Sequence, residues 1–427
     1  MLLLAALALA PLPQDWPHFG GPTRDNRAPA TGSSYQWGDE GPKVLWRADT
    51  GPGFGGAAIV GGEVFLLDCE LGESELLRVF DLAGGAERWS HAYEAKGRVG
   101  FPGTRCVPSV TADAVYTSGA FGHATCFDRA TKAIRWETHL VEVYGGEDPG
   151  FGFSCSPLVV GDVVVYAPLG SDVGLVAFDR QTGEERWVTE GIGLSHSSPT
   201  LLTFDGKEQL LVLTTEVQPT GQDQAAPMSI VSVDPKDGSV AWKHTLTLTR
   251  LPVPWPVAVD AERLFVTGGY RGGSTLLRLN KKEKKGAEVA FEELFYIERG
   301  AQIHLPVLHQ EHLYLIVNEN SNDPRPRRAE GGLLCLGLDG KERWRTGADP
   351  YFGRGNLLLA GEHLLIQDGH DGTLSVVKTN PKAFERIATA ALFPASGERD
   401  GQMWAPMALS GKRLVLRSQA ELVCVEL

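Results

Sequence analysis

One phrase recurs along this chain and limits the fold more than any other feature. Its fullest copy is Ala177-Phe178-Asp179-Arg180-Gln181-Thr182-Gly183-Glu184-Glu185-Arg186-Trp187. Partial copies run from Val79-Phe80-Asp81 to Trp89, from Cys126-Phe127-Asp128 to Trp136, from Ser232-Val233-Asp234 to Trp242, and from Leu338-Asp339 to Trp344. Counted from Trp46, successive Trp residues lie 43, 47, 51 and 55 positions apart. A period of ~40–50 residues is that of a propeller blade.

Each part of the phrase has a physical role. The alternating stretch before Asp is a strand with one buried face. Asp-x-x-Thr-Gly is turn chemistry, because Asp and Thr bond nearby backbone groups and Gly accepts a positive φ. The Trp closes the following strand, and a ring at that station can fill the wedge between neighbouring blades. A second hairpin precedes each phrase: Val159-Val160-Gly161-Asp162-Val163-Val164, for example, is strand, turn, strand. The form returns around Gly61-Gly62, Gly361-Glu362 and Gly411-Lys412. Two hairpins per period make four strands per blade. The 51 Gly and 26 Pro residues fit many tight turns.

Eight such units start near Ala57, Val107, Ser156, Pro199, Val257, Pro306, Leu357 and Pro406. The last supplies only three strands. The lone strand at Lys43-Val44-Leu45-Trp46 is therefore expected to complete it, removing sheet edges that invite aggregation. The chain reads as all-β, a single eight-bladed propeller of four-stranded antiparallel blades, with about 52 residues per blade. Seven blades is the alternative, since blade 5 has Phe295 and blade 7 has Ile387 where Trp is expected.

Residues 1–14 read as a signal peptide, and residues 15–427 as the propeller. Met1 to Leu12 is too short an apolar run for a span of ~20 residues. Ala6-Leu7-Ala8 and Ala8-Leu9-Ala10 have the form of a cleavage site, although no Lys or Arg precedes the run. The expectation is an exported chain, periplasmic or extracellular, with no Cys to carry a lipid and no transmembrane segment. A formal net charge of −13 argues against nucleic acid as a partner. Six Cys residues without a CxxC suggest neither zinc nor redox chemistry. Cys106 and Cys155 occupy matching places in successive repeats and are the pair to test as a disulfide.

The loops point to one face. Turns between first and second strands are short, whereas 94–105, 140–154, 215–228, 318–332 and 348–355 are long, and loop elaboration on one face marks the binding face. The channel mouth there is expected to carry Phe54, Arg105, Phe153, His196, Trp255, His304, Arg354, Asn356 and Trp404. Such a ring could hold a planar or anionic ligand, or a peptide. His304, His309 and His312 cluster in sequence, but strand and turn geometry should point them apart. Asn318 to Asp323 offers calcium-type ligands without the fixed loop spacing and reads as a polar loop. Lys281, Lys282, Lys284 and Lys285 read as a charged turn.

The phrase Ala177 to Trp187 resembles the tryptophan-docking motif of the PQQ-like β-propeller repeat family at every fixed position. The copies ending at Trp89, Trp136, Trp242 and Trp344 resemble it in part, and Trp46 joins these and Trp187 as an expected structural docking residue. The opening Asp15-Trp16-Pro17-His18-Phe19-Gly20-Gly21-Pro22-Thr23-Arg24-Asp25-Asn26 is similar to the start of exported members. The resemblance implies two rival classes. One comprises dehydrogenases that oxidise alcohols or sugars with PQQ and calcium. The other is the non-enzymatic scaffold similar to the outer-membrane assembly protein BamB. The chain has no adjacent Cys pair of the kind found beside the quinone in the alcohol-oxidising members. It therefore reads as a non-catalytic binding or protein-interaction scaffold with no cofactor, and a PQQ- and calcium-dependent oxidoreductase is the alternative. The partner is expected to be a protein or peptide, with a small molecule or glycan as the other possibilities.

Overall fold

Short apolar runs split by two-residue turns form antiparallel hairpins. At Gly61-Gly62 both central residues have positive φ, 61° and 79°, which matches the turn twist to that of its strands. The computed structural model describes residues 15–38, 40–148, 150–216, 226–285, 288–317, 330–393 and 402–427. Hairpins pair in twos into eight four-stranded antiparallel blades, each running outwards from its first strand. The inner strands are Ala58–Val60, Ser109–Val110, Leu158–Val160, Thr200–Phe204, Val257–Ala258, Val307–His309, Asn356–Ala360 and Ala408–Ser410. Each lies within two residues of the start expected from sequence.

The recurring phrase builds the contact between blades. In blade 3, Asp179 accepts hydrogen bonds from the backbone N–H groups of Gln181 (2.8 Å) and Thr182 (2.9 Å), and it pairs with Arg186. Asp128 with Arg135 and Asp81 with Arg88 repeat the arrangement. The turn so fixed receives the Trp of the preceding blade. Trp136 donates its indole N–H to Arg180 O (3.2 Å), Trp187 to Pro235 O (3.2 Å), Trp46 to Leu82 O (3.0 Å) and Trp344 to Asn380 O (2.7 Å). Gly183 sits under Trp136 at a φ of 75°, and a Cβ there would meet the indole at 2.6 Å, so the position needs glycine.

The less regular stations are individual. Trp89 packs at the edge of the blade 1 core cluster. Trp242 turns into its own blade and donates to Gln209 Oε1 at 2.6 Å. Phe295 lies over Gly340 of blade 6, so blade 5 makes the contact without an indole. Ile387 is exposed. Tyr35 and Trp37 of the N-terminal segment instead join the core shared by blades 7 and 8.

The strand Lys43–Asp49 and the last strand close the ring. Lys43–Asp49 pairs antiparallel with Glu421–Glu426, from Lys43 opposite Glu426 to Asp49 opposite Glu421. Arg417 of blade 8 reinforces this seam. It is 1% exposed and donates to Gly55 O (2.8 Å), Gly51 O (3.1 Å) and the buried Asp68 carboxylate (3.0 Å), all on the blade 1 side. Asp68 also pairs with Arg78 at 3.0 Å.

The N-terminal segment crosses the central channel. Trp16 pairs with Ile59 of blade 1, and Pro17 O accepts from Val110 N of blade 2. Phe19 meets Trp255 of blade 5 edge-on at 4.7 Å. Arg27–Ala28 then pairs in parallel with Leu359 and Ala360 of blade 7.

One sequence expectation changes here, and two points left open are filled in. The lysine run 281–285 lies in the strand Gly273–Lys285, which pairs back on Glu288–Ile297, so it is not a turn. That hairpin also joins blade 4, where the backbone at 288 lies in parallel register with that of Lys243. The loop from 140 opens with a short helix, α1 (Leu140–Tyr144), capped by His139 and by Gly145 at a φ of 61°. Cys106 and Cys155 are both buried and unbridged; their Sγ atoms lie near Val107 O and Ser197 O. The expected signal peptide and the Asn318–Asp323 run lie outside the described residues. No described helix is long and apolar enough to cross a membrane.

Candidate functional site

The fold repeats one position around the channel mouth. Four residues before the inner strand, successive blades present Phe54, Arg105, Ser154, His196, Val253, Ile303 and, in blade 8, Trp404. Blade 7 presents Arg354, two residues before its strand. All eight line one cavity of about 150 Å³, open on the long-loop face. Phe101, Phe151, Tyr270, Gln302 and Asn356 add to its wall, and Phe19 closes it from within the channel.

The rings form a crescent. Trp404 lies 5.2 Å from Phe54 and 5.4 Å from Phe101, Phe101 lies 5.8 Å from Phe151, and Phe151 lies 5.6 Å from His196. Two guanidinium groups sit on its faces, Arg354 over Trp404 at 4.7 Å and Arg105 over Phe54 at 5.6 Å. Arg105 is occupied with its own loop, donating to the carbonyls of Gly100 (2.6 Å), Phe101 and Gly103. Burial pulls its pKa down to about 10, which leaves it charged at neutral pH. Its structural role is to hold Phe101 in the crescent.

Gln302 and Arg354 form the polar side. Gln302 is 1% exposed, and its Oε1 accepts from Arg354 Nε at 3.0 Å. That bond fixes the amide, since the reverse orientation would set two donors against each other. Gln302 Nε2 is then a buried donor without a hydrogen-bond partner. Leaving such a donor unmet costs about 1–3 kcal/mol, which an acceptor entering the cavity would recover. Asn356 spends its amide N–H groups on Trp404 O (2.5 Å) and Ala405 O (3.1 Å), fixing the backbone under the indole. His196 Nδ1 lies 2.9 Å from Ser154 Oγ.

Of the residues singled out in sequence, Arg105, His196, Arg354, Asn356, Trp404 and Phe54 come together on this wall. Trp255, His304 and Phe153 do not. Trp255 is buried against Phe19 and Gly20, behind the cavity floor. His304 is fully buried, its Nε2 accepting from Ile316 N at 2.9 Å, and burial lowers its pKa to about 3. Phe153 belongs to a core between blades. His312 turns to Gln310 O (2.8 Å), away from His304. Ser154, Val253, Ile303 and Gln302 were missed, because none carries a chemical signature on its own. Counting four residues back from each inner strand would have found the first three.

The family described as outer membrane protein assembly factor BamB matches residues 72–269. Over these residues the chain is similar to that PQQ-like family, and its fold is a β-propeller. The propeller is similar in fold to a europium-containing methanol dehydrogenase (12% identity, TM-score 0.64, 97% of this chain and 98% of that one). It is similar also to the quinohemoprotein alcohol dehydrogenase of Comamonas testosteroni (13%, 0.67, 97% and 80%). A computationally designed protein, Ika8, shares the fold at 10% identity (TM-score 0.56, 91% and 100%). No curated protein matches the sequence.

The donor set can be tested against PQQ and calcium. Calcium is held by oxygen ligands, carboxylates foremost. Among the described residues lining the cavity there is no Asp or Glu. Nor does any group of three or more His, Cys, Asp or Glu among the described residues have the geometry to hold a metal. The residues present do not fit a calcium-bound quinone.

Proposed function

We propose that this protein is an exported, non-catalytic binding propeller whose long-loop face takes a partner at the channel mouth. The observation that carries this reading is the composition of the cavity wall. It offers an aromatic crescent, two guanidinium groups and an unmet amide donor, but no carboxylate to hold calcium or serve as a base. Such a wall favours a ring that carries a carboxylate. The ring stacks on Trp404 and Phe101, and the carboxylate accepts from Gln302 Nε2 beside the charge of Arg354. The same chemistry is presented by a free aromatic acid and by the terminal aromatic residue of a partner peptide.

Calorimetry of the mature chain tests the reading with three probes. 2-Naphthoate is expected to bind saturably, and uncharged 2-naphthamide at least about tenfold more weakly, a loss of about 1.4 kcal/mol. Peptides ending in Trp, with a free or an amidated C-terminus, separate the peptide source from the free acid. PQQ in calcium buffer is expected to give neither saturable heat nor dye-linked alcohol oxidation. Micromolar PQQ binding that disappears in Trp404→Ala would overturn the reading in favour of a quinoprotein oxidoreductase.

A further inference from the structure

The inner strand of a propeller blade has a free edge facing the channel, and its N–H and C=O groups need partners there. In this protein the N-terminal segment supplies partners for blades 1, 2 and 7. Trp16 and Ile59 exchange two backbone bonds of 2.7 and 2.8 Å, and Asp15 Oδ1 accepts from Gly61 N at 3.1 Å. On the return, Asn26 O accepts from Leu359 N (2.8 Å) and Ala28 O from Gly361 N (3.1 Å). Asn26 Nδ2 adds a bond to Leu357 O at 3.1 Å. Between these anchors the chain folds on itself, with Gly21 N bonded to His18 O and Asn26 N to Gly20 O. Gly20 and Gly21 have φ of 80° and 75°, and a Cβ on Gly21 would meet the Trp16 indole at 2.8 Å. The tip is therefore held from both sides.

We propose that residues 15–28 form the floor of the binding site and that Phe19 sets its depth. The proposal rests on the reading of the mouth as a ligand site. A segment serving only to strap the blades together would have no reason to present a half-buried ring to the cavity. Phe19 does so, lining the cavity while its edge covers the buried indole of Trp255. Phe19 then bounds from below the cup that opens on the long-loop face. Ligand length is limited by a residue more than eighty positions before the nearest wall residue except Phe54 in the same half of the chain.

The experiment pairs a ligand-free measurement with a ligand series, in the full mature chain, Phe19→Ala and Phe19→Leu. The chain is labelled with 5-fluorotryptophan, and the Trp255 resonance is assigned by its loss in Trp255→Phe. Its fluorine shift between H2O and D2O is expected to be near zero with Phe19 or Leu and to appear with Ala. Calorimetry then compares 2-naphthoate with the longer 4-biphenylcarboxylate. Phe19→Ala is expected to shift preference towards the longer acid by about fivefold, the effect of burying roughly 40 Å² more apolar surface. Phe19→Leu is expected to keep the original preference. A Trp255 resonance that stays dry in Phe19→Ala overturns the proposal. So does an unchanged preference between two acids that both bind. If neither acid binds the parent chain or either variant, the reading of the mouth as an aromatic-acid site falls, and the depth assignment falls with it. A solvent-exposed Trp255 in that case would still identify Phe19 as its cover.

Discussion

His304 shows how one residue can couple this fold to pH. Its ring is buried behind the cavity wall, and burial lowers its pKa from 6.5 to about 3. The unfolded chain takes up a proton below pH 6.5, whereas the folded one does not until about 3. Stability from this group is complete above pH 6.5 and is lost as pH falls towards 3, at up to about 1.4 kcal/mol per pH unit. Urea unfolding of His304→Gln is therefore expected to show a smaller loss between pH 7 and 5 than the parent chain. Curves that fall in parallel would show that the ring does not control this window. Gln302 and Trp255, on either side of the same wall, illustrate what a sequence shows at this scale. An indole attracts notice as a ligand platform and an amide does not, yet the amide carries the unmet donor and the indole is covered by Phe19. Trp255 lies two residues before its inner strand, whereas Val253, which that blade presents to the cavity, lies four before.

Among the elements, the seam between blades 8 and 1 depends on charges withdrawn from water. Arg417 and Asp68 are 1% and 2% exposed and bonded to each other at 3.0 Å. Arg417→Met removes one partner and leaves Asp68 with Arg78 and the Gly51 N–H, an expected cost of about 3 kcal/mol in chemical denaturation. Changing both, to Met and Leu, is expected to recover most of that loss, because desolvation of a buried pair offsets much of its attraction. A double variant as unstable as the single one would mean that the carbonyl contacts of Arg417 hold the seam. The hairpins were legible because strand, turn and strand are adjacent in sequence and each leaves a mark: alternation, Gly-Asp, alternation. The contacts of Trp136 and Trp187 were legible because indole and turn recur at a fixed spacing. The path of residues 15–28 was not, because their backbone pairs with the edges of inner strands, and edge pairing leaves no pattern of side chains. Blade 5 concealed its contact by using Phe295.

For the whole molecule, closure is a contact between the two ends of the chain. A chain ending at residue 419 lacks the partner of Lys43–Asp49 and exposes strand edges on both sides of the gap. It is expected to elute as dimers and larger species in size-exclusion chromatography and to unfold with a shallower denaturant dependence. A monomer with the parent midpoint would show that the seven remaining blades and the N-terminal segment hold the ring without it. The same pairing sets a delay during synthesis. Asp49 is made long before its partner Glu421. At ~5–20 residues per second, this strand is made roughly 20–75 s before its mate exists. For that interval a chain that ends without open edges carries one, and its fate rests on whatever holds it until translation is done.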